Sequence, residues 1–455
     1  MTECIQDSFP FSPSFRREVI ARFDAGPVSS DGGALLLREV EQKLGLLPRL
    51  AACFHDYRDP ARIEHTVEQL IRQRVFALAL GYEDLQDHDS LRHDPLRSLR
   101  MGKAEPGSTP LAGKSTLNRL ELTRPQAETP AHRYQKILFD PESADRLLVQ
   151  LFVESPATAP ESLGLDLDAT DDPLHGKQEG RFFHGDYGHY CYWPLYVFCG
   201  DHLLCARRRT AQGDASAGAL GEIQRIVSHL RQHWPGVRIT LRADSGFCRE
   251  ELMGWCEQNQ VDYVFGLARN RRLEEMLREA LAEARQQHEA TGQPARLFRE
   301  LRYQTRESWS QERRVVGKAE HLTKGANPRF VVTSLSVEQW AAPALYEQLY
   351  CARGEMENRI KAQFQLFADR LSTHWLWSNQ LRLYLSAFAD VLVDSLRRLA
   401  LPGTALAQAE VHTIRLRLLK IGAVVRVSVR RGWVSLASAH PAARVFAQAW
   451  QALRC

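Results

Sequence analysis

The sequence predicts an α/β protein with a mixed five-stranded sheet flanked by helices, a helical N-terminal region and a β-rich insertion. Three observations carry that reading. Apolar residues recur at helical spacing through much of residues 1–155. Near residue 163 the pattern changes to strand-like alternation. From there three strands come first, and strands then alternate with helices up to residue 268.

In the first region, residues 30–50 read as an N-capped helix, with Ser30 and Asp31 before its apolar run. A longer amphipathic helix follows at 64–82, and a short one at 114–122 with Ser115 as its cap. The strands are expected at 163–171 (LGLDLDATD), 190–198 (YCYWPLYVF), 202–209 (HLLCARRR), 237–246 (VRITLRADSG) and 261–268 (VDYVFGLA). Gly200 and Asp201 make a tight turn between the second and third, which should therefore pair as a hairpin. Helices are expected at 215–234, capped by Asp214, and at 247–260. This β-β-β-α-β-α-β order is that of an RNase H-like fold. Residues 269–300 form a charged helical run, followed by strand-like stretches before 336. A helix spans 345–367, another 380–399, and a third lies near 404–420 after the Pro402-Gly403 break. A hairpin and a last helix at 441–453 close the chain. The boundaries that follow are 1–155, 156–268, 269–344 for the insertion, 345–400 for the return to the core, and 401–455.

Composition narrows the class. The chain has 455 residues, 44% hydrophobic and 25% charged, as in a globular protein with a sizeable core. No run of about 18 apolar residues is present, and the N-terminus lacks the basic and apolar regions of a signal peptide. A cytoplasmic location is expected. The nine cysteines are scattered with no C-x-x-C pair, so neither a zinc site nor a disulfide framework is expected, and most should be small buried hydrophobes. Net charge is only +4, but the bases are mostly Arg. Arg suits bidentate phosphate contact, and a GC-rich genome accounts for it equally well.

Three acids stand out. Asp168 ends the first strand, with Asp166 on the same face and Leu165 and Leu167 on the other. A charge there is costly unless a metal or partner compensates it; Asp166, Asp171 and Asp172 are the alternatives, and a solvated acidic turn is the plain explanation. Asp244 ends the fourth strand before a helix, where it is either a site residue or a cap. Glu357 shares a helical stripe with Tyr350, Arg353 and Lys361, which equally suits an ordinary charged face with a Glu357–Lys361 pair. Three carboxylates on rigid neighbouring elements could hold two magnesium ions, the arrangement phosphodiester cleavage needs at neutral pH.

Other residues attract weaker readings. His175, His184 and His189 fit no standard zinc spacing, and with Lys177, Arg181 and the interleaved aromatics they read better as a DNA-contacting loop. Trp375 and Trp377 read as core residues. Ser245 lacks a His partner for nucleophilic catalysis.

These motifs together resemble the DDE transposases of bacterial insertion sequences. The resemblance rests on S-S-D-G-G-A-L-L-L, D-L-D-A-T-D-D-P-L-H-G-K-Q at 166–178, R-A-D-S-G-F at 242–247 and Y-C-A-R-G-E-M-E-N-R-I-K at 350–361. The nearest subgroup carries a Tyr-x-x-Arg-x-x-x-Glu-x-x-x-x-x-x-Lys (YREK) signature and a β-rich insertion before the last acid. The resemblance implies Asp168, Asp244 and Glu357 as a catalytic triad binding Mg2+, with Mn2+ an accepted substitute. It also implies Tyr350, Arg353 and a lysine as contacts to the DNA end. The signature lysine position holds Phe364 here, and Lys361 is the nearest substitute. Cleavage at transposon ends followed by strand transfer is the implied activity. The implied partner is double-stranded DNA, both terminal inverted repeats and target, bound by a dimer and placing the protein at the nucleoid. Residues 1–155 are the candidate DNA-binding region. Two alternatives are a non-catalytic, domesticated DNA-binding protein and a metal-dependent nuclease without strand transfer.

Overall fold

The computed structural model describes residues 8–100, 110–125, 136–185, 187–428 and 430–454. It contains two compact units, one of Met1–Phe139 with Phe388–Cys455 and one of Asp140–Ala387.

The first unit is built from both ends of the chain. The helix expected over 30–50 is two helices, Ala34–Leu44 and Leu46–Ala51, because Gly45 between them adopts the left-handed conformation at φ 55°. The helix Val67–Ala79 begins in a capping box of Thr66 and Gln69. The helix Lys114–Glu121 follows Gly113 rather than a Ser115 cap, and Asp89 accepts from its first N–H at 2.9 Å. The helix expected near 404–420 is short, a turn of α-helix at Val411–Ile414 running into a π-helical Arg415–Leu419.

The Ser29–Gly33 motif anchors that C-terminal segment. Gly32 and Gly33 donate to the carbonyls of Ile421 and Leu419 at 2.8 and 3.1 Å. A Cβ on Gly33 would overlap the Leu418 carbonyl oxygen, so the close approach requires glycine. Asp31, 1% exposed, accepts from Arg97 at 2.9 Å and Lys420 at 2.7 Å. Burial opposes its ionisation, but the two cations more than offset burial and hold its carboxyl below the ordinary range. The motif therefore does structural work within this unit.

The second unit is a nine-stranded mixed sheet with helices against it. Its main strands are β1 (Ser162–Ala169), β2 (Leu195–Cys199), β3 (His202–Arg207), β4 (Arg238–Ala243), β5 (Asp262–Leu267), β6 (Ala295–Tyr303), β7 (Arg313–Leu322) and β8 (Arg329–Thr333). They lie in the order β3-β2-β1-β4-β5-β8-β7-β6, with the short Gly325–Ala326 beside β7. β1, β4 and β5 are parallel, and β2 runs antiparallel to β1 and β3. The sheet does not stop at five strands: β8 pairs with β5 antiparallel and carries β7 and β6 outward. Residues of the expected insertion thus extend the same sheet. Within 269–300 the helix ends at Thr291 and β6 begins at Ala295.

Residues 190–198 are not one strand. Trp193 and Pro194 split them into His189–Tyr192 and β2, which belong to different sheets. Proline has no N–H to offer a ladder, so pairing breaks there. Leu165, Leu167, Leu241 and Phe265 pack with Ile223 and Val227 of the helix Ala219–His233. The alternate residues Tyr196 and Phe198 of β2 pack instead with Met356 and Ile360 of the helix Glu355–Gln365. Helices therefore engage both sets of alternate side chains, as a sheet buried on both faces requires.

Of the cysteines, Cys53, Cys191, Cys199, Cys205, Cys248 and Cys256 are buried and Cys351 is exposed; Cys4 and Cys455 lie outside the described residues. No helix among the described residues is long and apolar enough to cross a membrane.

Candidate active site

The parallel register of β1 and β4 sets Asp166 beside Arg242 and Leu167 beside Ala243. One step further, Asp168 and Asp244 come to the C-terminal ends of neighbouring strands, where α/β sheets place their sites. Asp168 accepts from the Ala169 N–H at 2.9 Å and from Arg353 Nη2 at 3.1 Å. The same Arg353 nitrogen stands 3.9 Å from Asp244 Oδ2. Asp244 Oδ1 accepts from the Gly246 N–H at 2.9 Å and caps the turn Ser245–Phe247. The acid is thus a cap through one oxygen, while the other faces Arg353.

Burial pushes the Asp168 carboxyl up to about 6; Arg353 opposes the shift, and Asp244 and Glu357 add to it. Glu357 is exposed, one residue after the buried Met356 that seats its helix on the sheet. The three acids therefore share one field.

The helix expected over 345–367 is irregular. Leu345–Tyr350 is π-helical, Cys351–Gly354 is a 3-10 turn, and the α-helix runs only over Glu355–Gln365. Local π geometry often marks a functional site. Here the distortion breaks the regular stripe of Tyr350, Arg353, Glu357 and Lys361. Leu345 and Tyr346 anchor the π segment on Val264, Val316 and Val331 of β5, β7 and β8. Gly266 of β5 admits Tyr350: a Cβ there would meet the Tyr350 hydroxyl at 2.7 Å and the Ser245 nitrogen at 2.9 Å.

The neighbouring acids have other partners. Asp166 makes a bidentate pair with Arg242, both contacts at 2.7 Å, and Arg242 also donates to the Leu349 carbonyl at 3.1 Å. Asp171 pairs with His189 at 2.9 Å. Asp172 is fully buried with neither carboxyl oxygen hydrogen-bonded; burial, Asp369 and Asp171 push it up to about 8 against Arg208.

Lys177 and Lys361 are exposed, and among the described residues neither pairs with the three acids. Phe364, at the signature lysine position, packs against the cluster containing Tyr196 and Ile360. Trp375 is not a core residue: it is 41% exposed and stacks on Trp377 at 6.2 Å. Ser245 is exposed in its turn. Sequence reasoning assigned no role to Arg242 or Gly266. Arg242 stood in the quoted R-A-D-S-G-F motif, but its partner follows only from strand register.

Among the described residues no three His, Cys, Asp or Glu side chains converge closely enough to hold a metal ion. Arg353 instead supplies positive charge between Asp168 and Asp244. The donor chemistry still fits a hard divalent cation. The available groups are carboxylate oxygens, and Asp168 is raised partly by its two acidic neighbours, a repulsion that a cation relieves.

No curated protein matches the chain. Among solved structures, a likeness is found to the "Cryo-EM structure of piggyBac transposase synaptic complex with hairpin DNA". It has 11% identity over 86% of this chain and 80% of that one, with a TM-score of 0.41. The family described as "Transposase DDE domain group 1" matches residues 11–455, and the chain belongs to that family.

Proposed function

We propose that the protein cleaves DNA at transposon ends and joins the freed ends to target DNA, using Asp168, Asp244 and Glu357. The observation that carries this is the meeting of Asp168 and Asp244 at neighbouring strand ends, bridged by Arg353, with Glu357 in the same field. Family membership supports it. The β3-β2-β1-β4-β5 order, with β2 antiparallel, supports an RNase H-like core. The Tyr350, Arg353 and Glu357 spacing supports the insertion-sequence subgroup with the YREK signature. In this reading residues 1–155 bind DNA, 269–344 are the insertion, and two chains act together on two ends.

Asp168, Asp244 and Glu357 would hold two Mg2+ ions, which when bound supply an activated water and neutralise charge on the phosphate. The chain's own groups do the positioning. Asp166 and Arg242 fix the end of the π segment through the Leu349 carbonyl, and so fix Arg353. Once the acids are otherwise neutralised, Arg353 is available to a phosphate oxygen, a contact its guanidinium makes bidentately. Tyr350 stands beside it as a hydroxyl contact to the DNA end. Lys361 and Lys177 are exposed and free to meet the DNA backbone.

The test is cleavage and strand transfer on a labelled transposon-end duplex with magnesium, comparing wild type with Asp244→Asn. Cutting and joining by wild type, with a variant that binds but does neither, supports the proposal. Cutting without joining identifies a nuclease. Binding by both proteins with no cutting by either leaves a DNA-binding role.

A further inference from the structure

Immediately after β1 the chain forms a small three-stranded sheet, in which Phe182–His184 and Asp172–Pro173 both pair with His189–Tyr192. Phe183 and Tyr190 are direct cross-strand partners, and their rings meet edge to face at 5.5 Å. Both are largely exposed, at 49% and 43%. The Arg181 guanidinium lies over the Tyr190 ring at 4.6 Å and is held there by a bond to the Gly176 carbonyl at 2.8 Å. Phe182 alternates to the opposite face, where Tyr187 also lies against His184 and His189. Glu179, two residues before Arg181, accepts from the Leu376 N–H at 2.9 Å.

Scattered exposed apolar residues need no explanation, but Phe183 and Tyr190 are paired on one face of the hairpin with a guanidinium held over the Tyr190 ring. Flat rings, a stacked Arg and a flanking Lys177 are the groups that bind unpaired bases and their phosphates. Through the face opposite these two rings, the hairpin adjoins the acidic site. His189 pairs with Asp171, three residues beyond Asp168, and the Tyr187 hydroxyl feels the charges of both Asp171 and Asp168.

We propose that this hairpin is a stacking surface for unpaired DNA bases beside the acidic site, with Phe183 and Tyr190 as the stacking rings and Arg181 as their cationic partner. The inference rests on the reading of that site as one that processes DNA ends. Where the terminal bases of a strand end are unpaired at the site, the hairpin offers them a face to stack on.

The experiment is fluorescence anisotropy of the full chain with a short labelled oligothymidine, set against a fully paired duplex of equal length. The proteins are wild type, Phe183→Ala, Tyr190→Ala, Phe183→Leu and Tyr190→Phe. Each alanine variant should weaken oligothymidine binding about tenfold and leave duplex binding unchanged. Phe183→Leu, which keeps apolar bulk without a ring, should behave like the alanine variant, and Tyr190→Phe should remain within about twofold of wild type. Three outcomes overturn the proposal: no binding of oligothymidine by wild type, equal loss on both probes, or retention of affinity by the alanine variants. The readout is binding, so it separates from the cleavage assay. A wild type that fails to cut but shows this selective loss keeps the hairpin and removes the catalytic reading. A wild type that cuts while the alanine variants keep their affinity does the reverse.

Discussion

Asp168 is held in a state its own chemistry resists. Its carboxyl sits at about 6 instead of 3.8, so folding disfavours the ionised form. Stability from this group is present in full below about pH 4 and is lost as pH rises through about 6. Removing the charge should therefore help the fold. Asp168→Asn is expected to be more stable than wild type at pH 7.5, by up to about 3 kcal/mol, with the difference gone below pH 4. Thermal melts across that range check this; a less stable variant at pH 7.5 would show that the Arg353 contact outweighs burial. The same variant should lose cleavage. Magnesium gives the complementary measurement. A metal that needs ionised Asp168 should raise the melting temperature more at pH 8 than at pH 5.5, since binding at the lower pH must first expel a proton. Equal shifts at both pH values would place the ion elsewhere.

At the scale of elements, the site depends on how one distorted helix is seated. Gly266 leaves room for Tyr350, and Arg242 ties Asp166 to the Leu349 carbonyl. Gly266→Ala should push Tyr350 away from Asp244 and cut activity at least tenfold while costing the fold only about 1–3 kcal/mol, as overpacking usually does. Activity assays beside thermal melts separate the two effects, and a variant with wild-type activity would release Tyr350 from its role. Much of this level was legible beforehand. Alternation in L-D-L-D put Asp166 and Asp168 on one face, and strand-ending motifs marked Asp168 and Asp244. What separated them was not legible, because the Asp166–Arg242 pair exists only through the parallel register of β1 and β4. The π segment was hidden for a similar reason: its sequence is helical in pattern, and packing on Val264, Val316 and Val331 decides its winding. Pro194 was visible in the sequence, yet the apolar run around it masked the break between two sheets.

At the scale of the whole molecule, the two ends of the chain close one unit while its middle carries the acids. The strand Ala423–Val427 pairs with Val28–Ser29, and Gly33 lies against the Leu418 carbonyl, so the N-terminal motif and the C-terminal segment hold each other. Gly33→Val places a branched side chain where even a Cβ has no room and where backbone, rather than a flexible side chain, must give way. The strain should exceed an ordinary overpacking cost of about 1–3 kcal/mol. Hydrogen exchange on the full chain is the measurement. Faster exchange is expected at 28–44 and 411–436, with protection of β1, β4 and β5 retained. Protection lost equally in both sets would mean that the middle of the chain cannot hold its sheet once the ends are loosened. Protection kept in both would mean that the Leu418 backbone yields, and that the close approach at Gly33 is not what joins the ends.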